Sequence, residues 1–253
     1  MNKKKNKLIL LKKRYYDYLD RKSRHIAYKL TKGSKVTPLI LKYTAELYQA
    51  AKEERKFENK NFYTRYHAPI SSELEFLIAR TLFHFSNFKN LGWSIYLRKQ
   101  EKKTAPDIRI DRNGKTIGIV EIKAKAGWIQ SFFSSERAEK DRRRLESGKG
   151  DFNPDDLIKR MRSQLKKYEA VYKIKPEYVF LFLPTLRLVH RKKSQRKLKD
   201  YQMDFVKNSG LQKDNLILLS KNLNLDLSEP HTIKDCQPLN MFEKFVIKLK
   251  NTK

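Results

Sequence analysis

The segment that most constrains the fold is residues 105–123, which has the pattern of a β-hairpin. Asn113 and Gly114 form a dipeptide typical of a two-residue hairpin turn, and they separate two runs rich in isoleucine. A tight turn between two such runs makes the strands antiparallel neighbours. The start of the first strand, where Asp107 lies, is therefore predicted to lie beside the end of the second.

Three charged side chains are predicted to gather at this open end of the hairpin. In the second strand, Val120 and Ile122 alternate with Glu121 and Lys123, so the two charged residues share one face. With Asp107 beside them, two carboxylates can bind one divalent metal ion next to an ammonium group. Such a site suits phosphodiester hydrolysis, because the metal activates water and neutralises charge on the phosphate.

Pro106, Asp107, Glu121 and Lys123 together resemble the motif of the PD-(D/E)xK nuclease superfamily, which includes type II restriction endonucleases. The resemblance implies an α/β fold with a restriction-endonuclease-like core, in which helices flank a central mixed β-sheet. It also implies Mg²⁺ as cofactor, held by Asp107, Glu121 and the backbone carbonyl of Ile122. Lys123 would then orient or deprotonate the attacking water, or stabilise charge on the phosphate. The alternative is a half-buried hairpin with ordinary charged residues on its wet face.

The resemblance implies a further catalytic acid, Glu75, on the first helix of the core. That helix is predicted from residue 71 onward by apolar residues at helical spacing: Leu74, Leu77, Ile78, Leu82 and Phe85. Ser72 and Glu75 also have the spacing of a capping box, so a capping role for Glu75 stays open. Gln164 lies near the inward stripe of a later helix, and a Gln followed by an aromatic residue recurs there in some superfamily members. The alternative for Gln164 is an ordinary boundary residue.

The charge balance points to a polyanionic partner. The chain has 253 residues, with 58 Lys and Arg against 28 Asp and Glu, which gives a net charge of +30. Lysines and arginines that meet phosphates release condensed counterions, so a polyanionic partner is expected, and the resemblance implies that this partner is double-stranded DNA. The residues predicted to bind DNA are Lys125, Arg142, Arg143, Arg144, Arg191, Lys192 and Lys193. Lys125 could instead replace Lys123 in catalysis, and the basic run 190–199 could instead be a solvated loop.

Several classes of protein and site are disfavoured by the sequence. Cys236 is the only cysteine, so an intrachain disulfide is excluded and a reducing, cytoplasmic location is expected. The apolar run of residues 8–11 is too short for an export signal, and no stretch approaches the length of a membrane span. The sequence has no glycine-rich phosphate loop, so no nucleotide cofactor is expected.

The chain is predicted to consist of a basic, helical N-terminal region, residues 1–66, and a nuclease core with a C-terminal elaboration, residues 67–253. Helices are predicted within 1–36, at 37–56, from 71 and from 154, and strands at 93–97, 178–183 and 215–219 besides the hairpin. The tail after the last strand is weakly patterned, so no helix or strand is assigned to it.

The function predicted from these features is that of a Mg²⁺-dependent type II restriction endonuclease, cutting double-stranded DNA at a short specific sequence. One chain carries one predicted site, whereas a double-strand break needs two cuts, so a homodimer is expected. Two alternatives stay open. One is a structure-specific nuclease of repair or recombination, and the other is a nucleic-acid-binding protein without catalytic activity.

Overall fold

A mixed five-stranded β-sheet organises the part of the chain that the structure describes. This computed structural model describes residues 2–56, 70–123, 154–184, 213–220, 234 and 236–252. The strands are β1 (Trp93–Leu97), β2 (Ile108–Arg112), β3 (Lys115–Ile122), β4 (Val179–Leu183) and β5 (Leu216–Leu218), and they are adjacent in that order. β1, β2 and β3 are antiparallel, whereas β3, β4 and β5 are parallel. The predicted α/β fold with a mixed sheet is confirmed.

The predicted hairpin is present, and the backbone of its turn has the expected conformation. Asn113 has a φ of 51° and Gly114 a φ of 74°, the left-handed values that a two-residue hairpin turn requires. Arg112 is therefore paired with Lys115 directly across the turn. The register then shifts between Ile110 and Asp111, because β3 contains a bulge in which one extra residue is left without a partner on β2.

Helices cover both faces of the sheet. One face packs against α3 (Ser71–Phe88) and α5 (Met241–Asn251), and the other packs against α4 (Pro154–Tyr172). α1 (Asn2–Thr31) packs on α3, and α2 (Thr37–Lys56) completes the same core. The alternation along β3 explains this division. Val120 and Ile122 belong to the first core, whereas Ile119 belongs to the second. Residues of the same strand thus supply both layers, and Glu121 points to the α4 side.

The two clearest apolar patterns of the sequence, one periodic and one continuous, are confirmed. The predicted stripe of α3, from Leu74 to Phe85, is buried in the first core. All five residues of β4 are buried, as expected of a strand that lies between two parallel neighbours and is covered on both faces. The boundaries predicted for α2 and β1 agree with the structure.

The tail contains a helix that the sequence analysis did not predict, because residues 241–251 form α5. Its buried residues are Phe242, Phe245, Val246 and Leu249. This spacing is helical, but frequent lysines and only three turns of length made the pattern weak. α5 also contacts the start of α2, far away in the sequence. The carboxylate of Glu243 accepts hydrogen bonds from the backbone N–H groups of Val36 (2.6 Å) and Thr37 (2.9 Å) at the start of α2.

Within the described ranges, no helix combines the length and apolar character that crossing a membrane requires.

Candidate active site

The candidate site lies at the carboxyl end of β3, where three neighbouring strands bring three residues to the same level. Extending the observed register of β1, β2 and β3 by one residue places Arg98, Asp107 and Glu121 in one row. The Arg98 backbone N–H donates to the Asp107 carbonyl at 3.0 Å. The Ile122 N–H donates to Oδ2 of Asp107 at 2.7 Å. These bonds fix the Asp107 carboxylate beside the end of β3.

Lys123 joins the two carboxylates of this row. Its Nζ lies 3.1 Å from Oε2 of Glu121 and 3.8 Å from Oδ2 of Asp107. Burial alone would lower the pKa of Lys123, but the carboxylates of Glu121 and Asp107 outweigh it and raise that pKa. Lys123 is therefore held as an ammonium between two acids. The structure thus brings together the acid, acid and lysine that the sequence predicted.

Glu121 is a buried carboxylate with a partner on each oxygen. Its exposed fraction is 2%, and while Lys123 binds Oε2, the hydroxyl of Tyr168 on α4 donates to Oε1. Burial raises the pKa of Glu121, and the nearby negative charge of Asp107 adds to the effect. The pKa of Tyr168 is also raised, by burial and by the charge of Glu121, so its hydroxyl stays a donor. Tyr168 therefore sets the orientation of Glu121.

Glu75 approaches from α3, and it is not a helix cap. The N-cap position of α3 belongs to Ile70, and Ser72 lies inside the helix, so the capping interpretation of Glu75 is wrong. The Arg98 guanidinium instead donates to both carboxylate oxygens of Glu75, at 2.5 and 2.8 Å. Burial raises the pKa of Glu75, although the hydrogen bonds from Arg98 oppose this and Asp107 adds to it. The charge of Asp107 therefore acts on Glu75, and Arg98 is its ion-pair partner.

Below the site, a buried arginine connects the hairpin with α4. Arg109 lies over the ring of Tyr96 at 4.4 Å and over the ring of Tyr172 at 5.3 Å. It pairs with Glu101, and its guanidinium lies 3.2 Å from the carboxylate of Asp111. Arg109 follows Asp107 by two residues and so shares its face of β2. These contacts hold α4, which carries Tyr168, against the strand that begins at the site.

Of the remaining predicted site residues, the structure describes Gln164. Gln164 is half-buried on α4, one helical turn before Tyr168. The residues predicted to bind DNA lie outside the described residues: Lys125, Arg142, Arg143, Arg144, Arg191, Lys192 and Lys193.

Sequence analysis missed two residues of the site, Arg98 and Tyr168. The signal for Tyr168 was its position four residues after Gln164, which places both on one helix face. Tyr168 fits an apolar stripe equally well, so no role was predicted for its hydroxyl. Arg98 carries no local signal, because its partner Glu75 comes from an element 23 residues earlier in the chain. It directly follows β1, with a left-handed φ of 50°.

The residues present fit a hard divalent cation in donor chemistry. Asp107 and Glu121 offer carboxylate oxygens, the ligands that Mg²⁺ prefers, and Lys123 already places positive charge within 3.8 Å of both. No group of three or more His, Cys, Asp or Glu side chains in the described ranges is arranged to hold a metal. Protein ligation would therefore depend on this pair with the Ile122 carbonyl, and water would supply the other ligands, as Mg²⁺ commonly allows.

Comparisons with known proteins gave no match to this chain. No protein-family model matches it, no curated protein matches it, and no solved structure matches it. Site geometry and the charge of the chain are therefore the features that bear on its function.

Proposed function

We propose that this protein is a Mg²⁺-dependent endonuclease with a restriction-endonuclease-like core of the PD-(D/E)xK type. In this proposal it hydrolyses double-stranded DNA at a short specific sequence, as type II restriction enzymes do. The observation that carries the proposal is the convergence of Asp107, Glu121 and Lys123 at the end of β3, next to the parallel part of the sheet. Ligand sites of α/β sheets lie outside the carboxyl ends of such strands.

Each residue of the site has a proposed role. Asp107, Glu121 and the carbonyl of Ile122 would hold Mg²⁺, which when bound activates water and neutralises phosphate charge. Lys123, favoured as an ammonium by its two acid neighbours, would donate to the phosphate or to the attacking water. This supports the roles of orientation and charge stabilisation for Lys123 over that of a base. Tyr168 would keep the Glu121 carboxylate in position.

Arg98 and Glu75 form a supporting pair at the same level. The side chain of Arg98 is 52% exposed although its guanidinium binds the buried carboxylate of Glu75. An arginine in this position presents positive charge at the mouth of the site. We assign it the role of drawing the phosphate toward the metal ligands while fixing Glu75 in place.

The charge of the chain supports the choice of substrate. A net charge of +30 favours a partner with dense phosphates, and double-stranded DNA carries one negative charge per about 1.7 Å of its axis. A homodimer related by a two-fold axis would place one site on each strand of the duplex, and it would read a palindromic target. DNA would also relieve the repulsion between two such basic chains.

The test is a digestion of plasmid DNA by the purified protein, with Mg²⁺ or with EDTA. We expect discrete fragments with Mg²⁺ and intact plasmid with EDTA. Asp107→Asn and Glu121→Gln should each leave less than about a hundredth of wild-type cleavage, because each removes a charged metal ligand without changing side-chain size. Binding of both variants to DNA in EDTA is the control for folding. A tenth of wild-type turnover in either variant would refute the assignment of the ligands. A smear would indicate cleavage without sequence specificity.

A further inference from the structure

We propose that an exposed face of α1 is a binding surface for single-stranded nucleic acid, separate from the candidate active site. This surface, here called the α1 surface, surrounds a cavity of about 480 Å³. Its lining residues are Arg21, Arg24, His25 and Tyr28 of α1 and Phe88 at the end of α3. The four residues of α1 are spaced by one, three and four residues, so they form one face of the helix.

Two aromatic rings of this surface face solvent. Tyr28 is 51% exposed and Phe88 is 39% exposed, whereas most large apolar side chains of the described part are buried. Their ring centroids lie 6.5 Å apart with an angle of 80° between the planes. The ring of His84 stacks on the ring of Phe88, with an angle of 26° between the planes. Phe88 is therefore supported by its neighbours and still presents free area on which a flat base can stack.

Cations surround the two rings. The guanidinium of Arg24 lies 5.9 Å from the ring centre of Phe88, and Nζ of Lys32 lies 5.6 Å from that of Tyr28. The nearby acid Asp20 is engaged by Arg80 and His84. Arg21 and Arg24 form no ion pair with any acid of the described residues.

This combination selects one kind of partner. Exposed rings alone would fit an apolar peptide, and exposed cations alone would fit any polyanion. Rings and arginines that have no acidic partner among the described residues, all on one face, fit a chain with alternating flat bases and phosphates. In a duplex the faces of the bases are covered by their neighbours in the stack, so only single-stranded nucleic acid presents both groups together. The net charge of +30 favours the same class of partner.

The α1 surface is remote from the carboxylates. Glu75 lies in the first turns of α3 and Phe88 is its last residue, so the two are separated by about 20 Å along the helix axis. Binding here can therefore be measured without the metal site. It does not depend on the proposed endonuclease activity, and failure of either proposal would leave the other standing.

The experiment is fluorescence anisotropy in EDTA with the full-length protein and a labelled oligothymidylate, compared with a duplex of the same length. The double variant Tyr28→Leu with Phe88→Leu keeps apolar bulk and removes the rings. It should weaken binding of the single strand at least about tenfold and leave the duplex within about twofold. Arg21→Gln with Arg24→Gln should weaken the single strand and lower its salt slope by about 1.4, the value for two phosphate contacts.

The control is Lys166→Gln with Lys167→Gln, which removes two exposed charges from α4 on the opposite face of the sheet. We expect it to bind the single strand like wild type. On the wild-type protein, photocrosslinking with iodouracil-substituted oligonucleotide should label peptides containing Tyr28 or Phe88. The proposal is overturned if the aromatic variant melts like wild type and keeps its affinity, or if adducts map only elsewhere. Equal loss for duplex and single strand, or competition by polyglutamate at equal charge, would also overturn it.

Discussion

The variant Tyr168→Phe removes one hydroxyl. It tests whether metal binding at the candidate site depends on a fixed orientation of the Glu121 carboxylate. The hydroxyl donates to Oε1 of Glu121, a carboxylate that is 2% exposed and has Lys123 on its other oxygen. Phe keeps the ring that packs in the second core, so the change is confined to this hydrogen bond. Glu121 would then lose one of its two fixed partners and would be free to turn away from Asp107.

The size of the effect follows from the type of bond. A hydrogen bond to a charged group contributes about 1.5–3 kcal/mol, which corresponds to about a 10- to 100-fold change in an equilibrium constant. Residues that orient metal ligands have effects of the same size. We therefore expect Tyr168→Phe to raise the Mg²⁺ concentration for half-maximal cleavage about 10- to 100-fold, with recovery of much of the rate at high Mg²⁺.

The matched control is Tyr172→Phe, one turn later on the same helix. Its hydroxyl donates to the backbone carbonyl of Thr104 at 2.8 Å and contacts neither carboxylate of the site. The assay is a Mg²⁺ titration of initial cleavage rates for wild type and both variants, with thermal melting of each. If both variants shift the Mg²⁺ dependence equally, or if neither does, Tyr168 does not position a metal ligand and the reasoning is refuted.

Three further results are expected. Burial raises the pKa of Glu121, so the folded protein binds this proton more tightly than the unfolded chain does. The free energy of unfolding should therefore fall as pH rises from the ordinary value of 4.5 through the raised pKa, and Glu121→Gln should flatten that part of a denaturation profile. In Gly118→Ala, the new Cβ would lie 2.6 Å from Cδ2 of buried Leu249, so chemical denaturation should show a loss of about 1–3 kcal/mol, and wild-type stability would contradict the packing of α5 on β3. Affinity for duplex DNA should fall at least about tenfold between about 50 and 200 mM salt, and a flat response would contradict the interpretation of the +30 charge.

The elements that sequence analysis predicted well are those whose cause is local. The Asn113-Gly114 turn and the apolar stripe of α3 are each determined by residues close together in the chain, so the hairpin and the helix were predictable. The approach of Asp107 to Glu121 and Lys123 was predicted from the hairpin, although their alignment in one row also depends on the bulge in β3. Each of these predictions needed no knowledge of distant packing.

The rest of the site depends on contacts between distant segments. Arg98 binds Glu75 only because α3 packs beside the end of β1, and Tyr168 reaches Glu121 only because α4 covers that face of β3. The role of Glu75 as a cap or as a site residue depended on where α3 begins, and a shift of one or two residues decides between them. Helix α5 was missed because its pattern is short and its lysines mask the apolar face.

The bulge in β3 has a consequence for any attempt to transplant this site. Counting back from the turn through an ideal hairpin would pair Asp107 with Val120, whose side chain points to the opposite face of the sheet from Glu121. The extra residue, Ile117, advances the register by one and brings the two carboxylates to the same level. A designer who grafts the sequence onto a regular hairpin would therefore keep every charged residue and lose the site. The graft must include the extra residue, or the aspartate must move by one position along its strand.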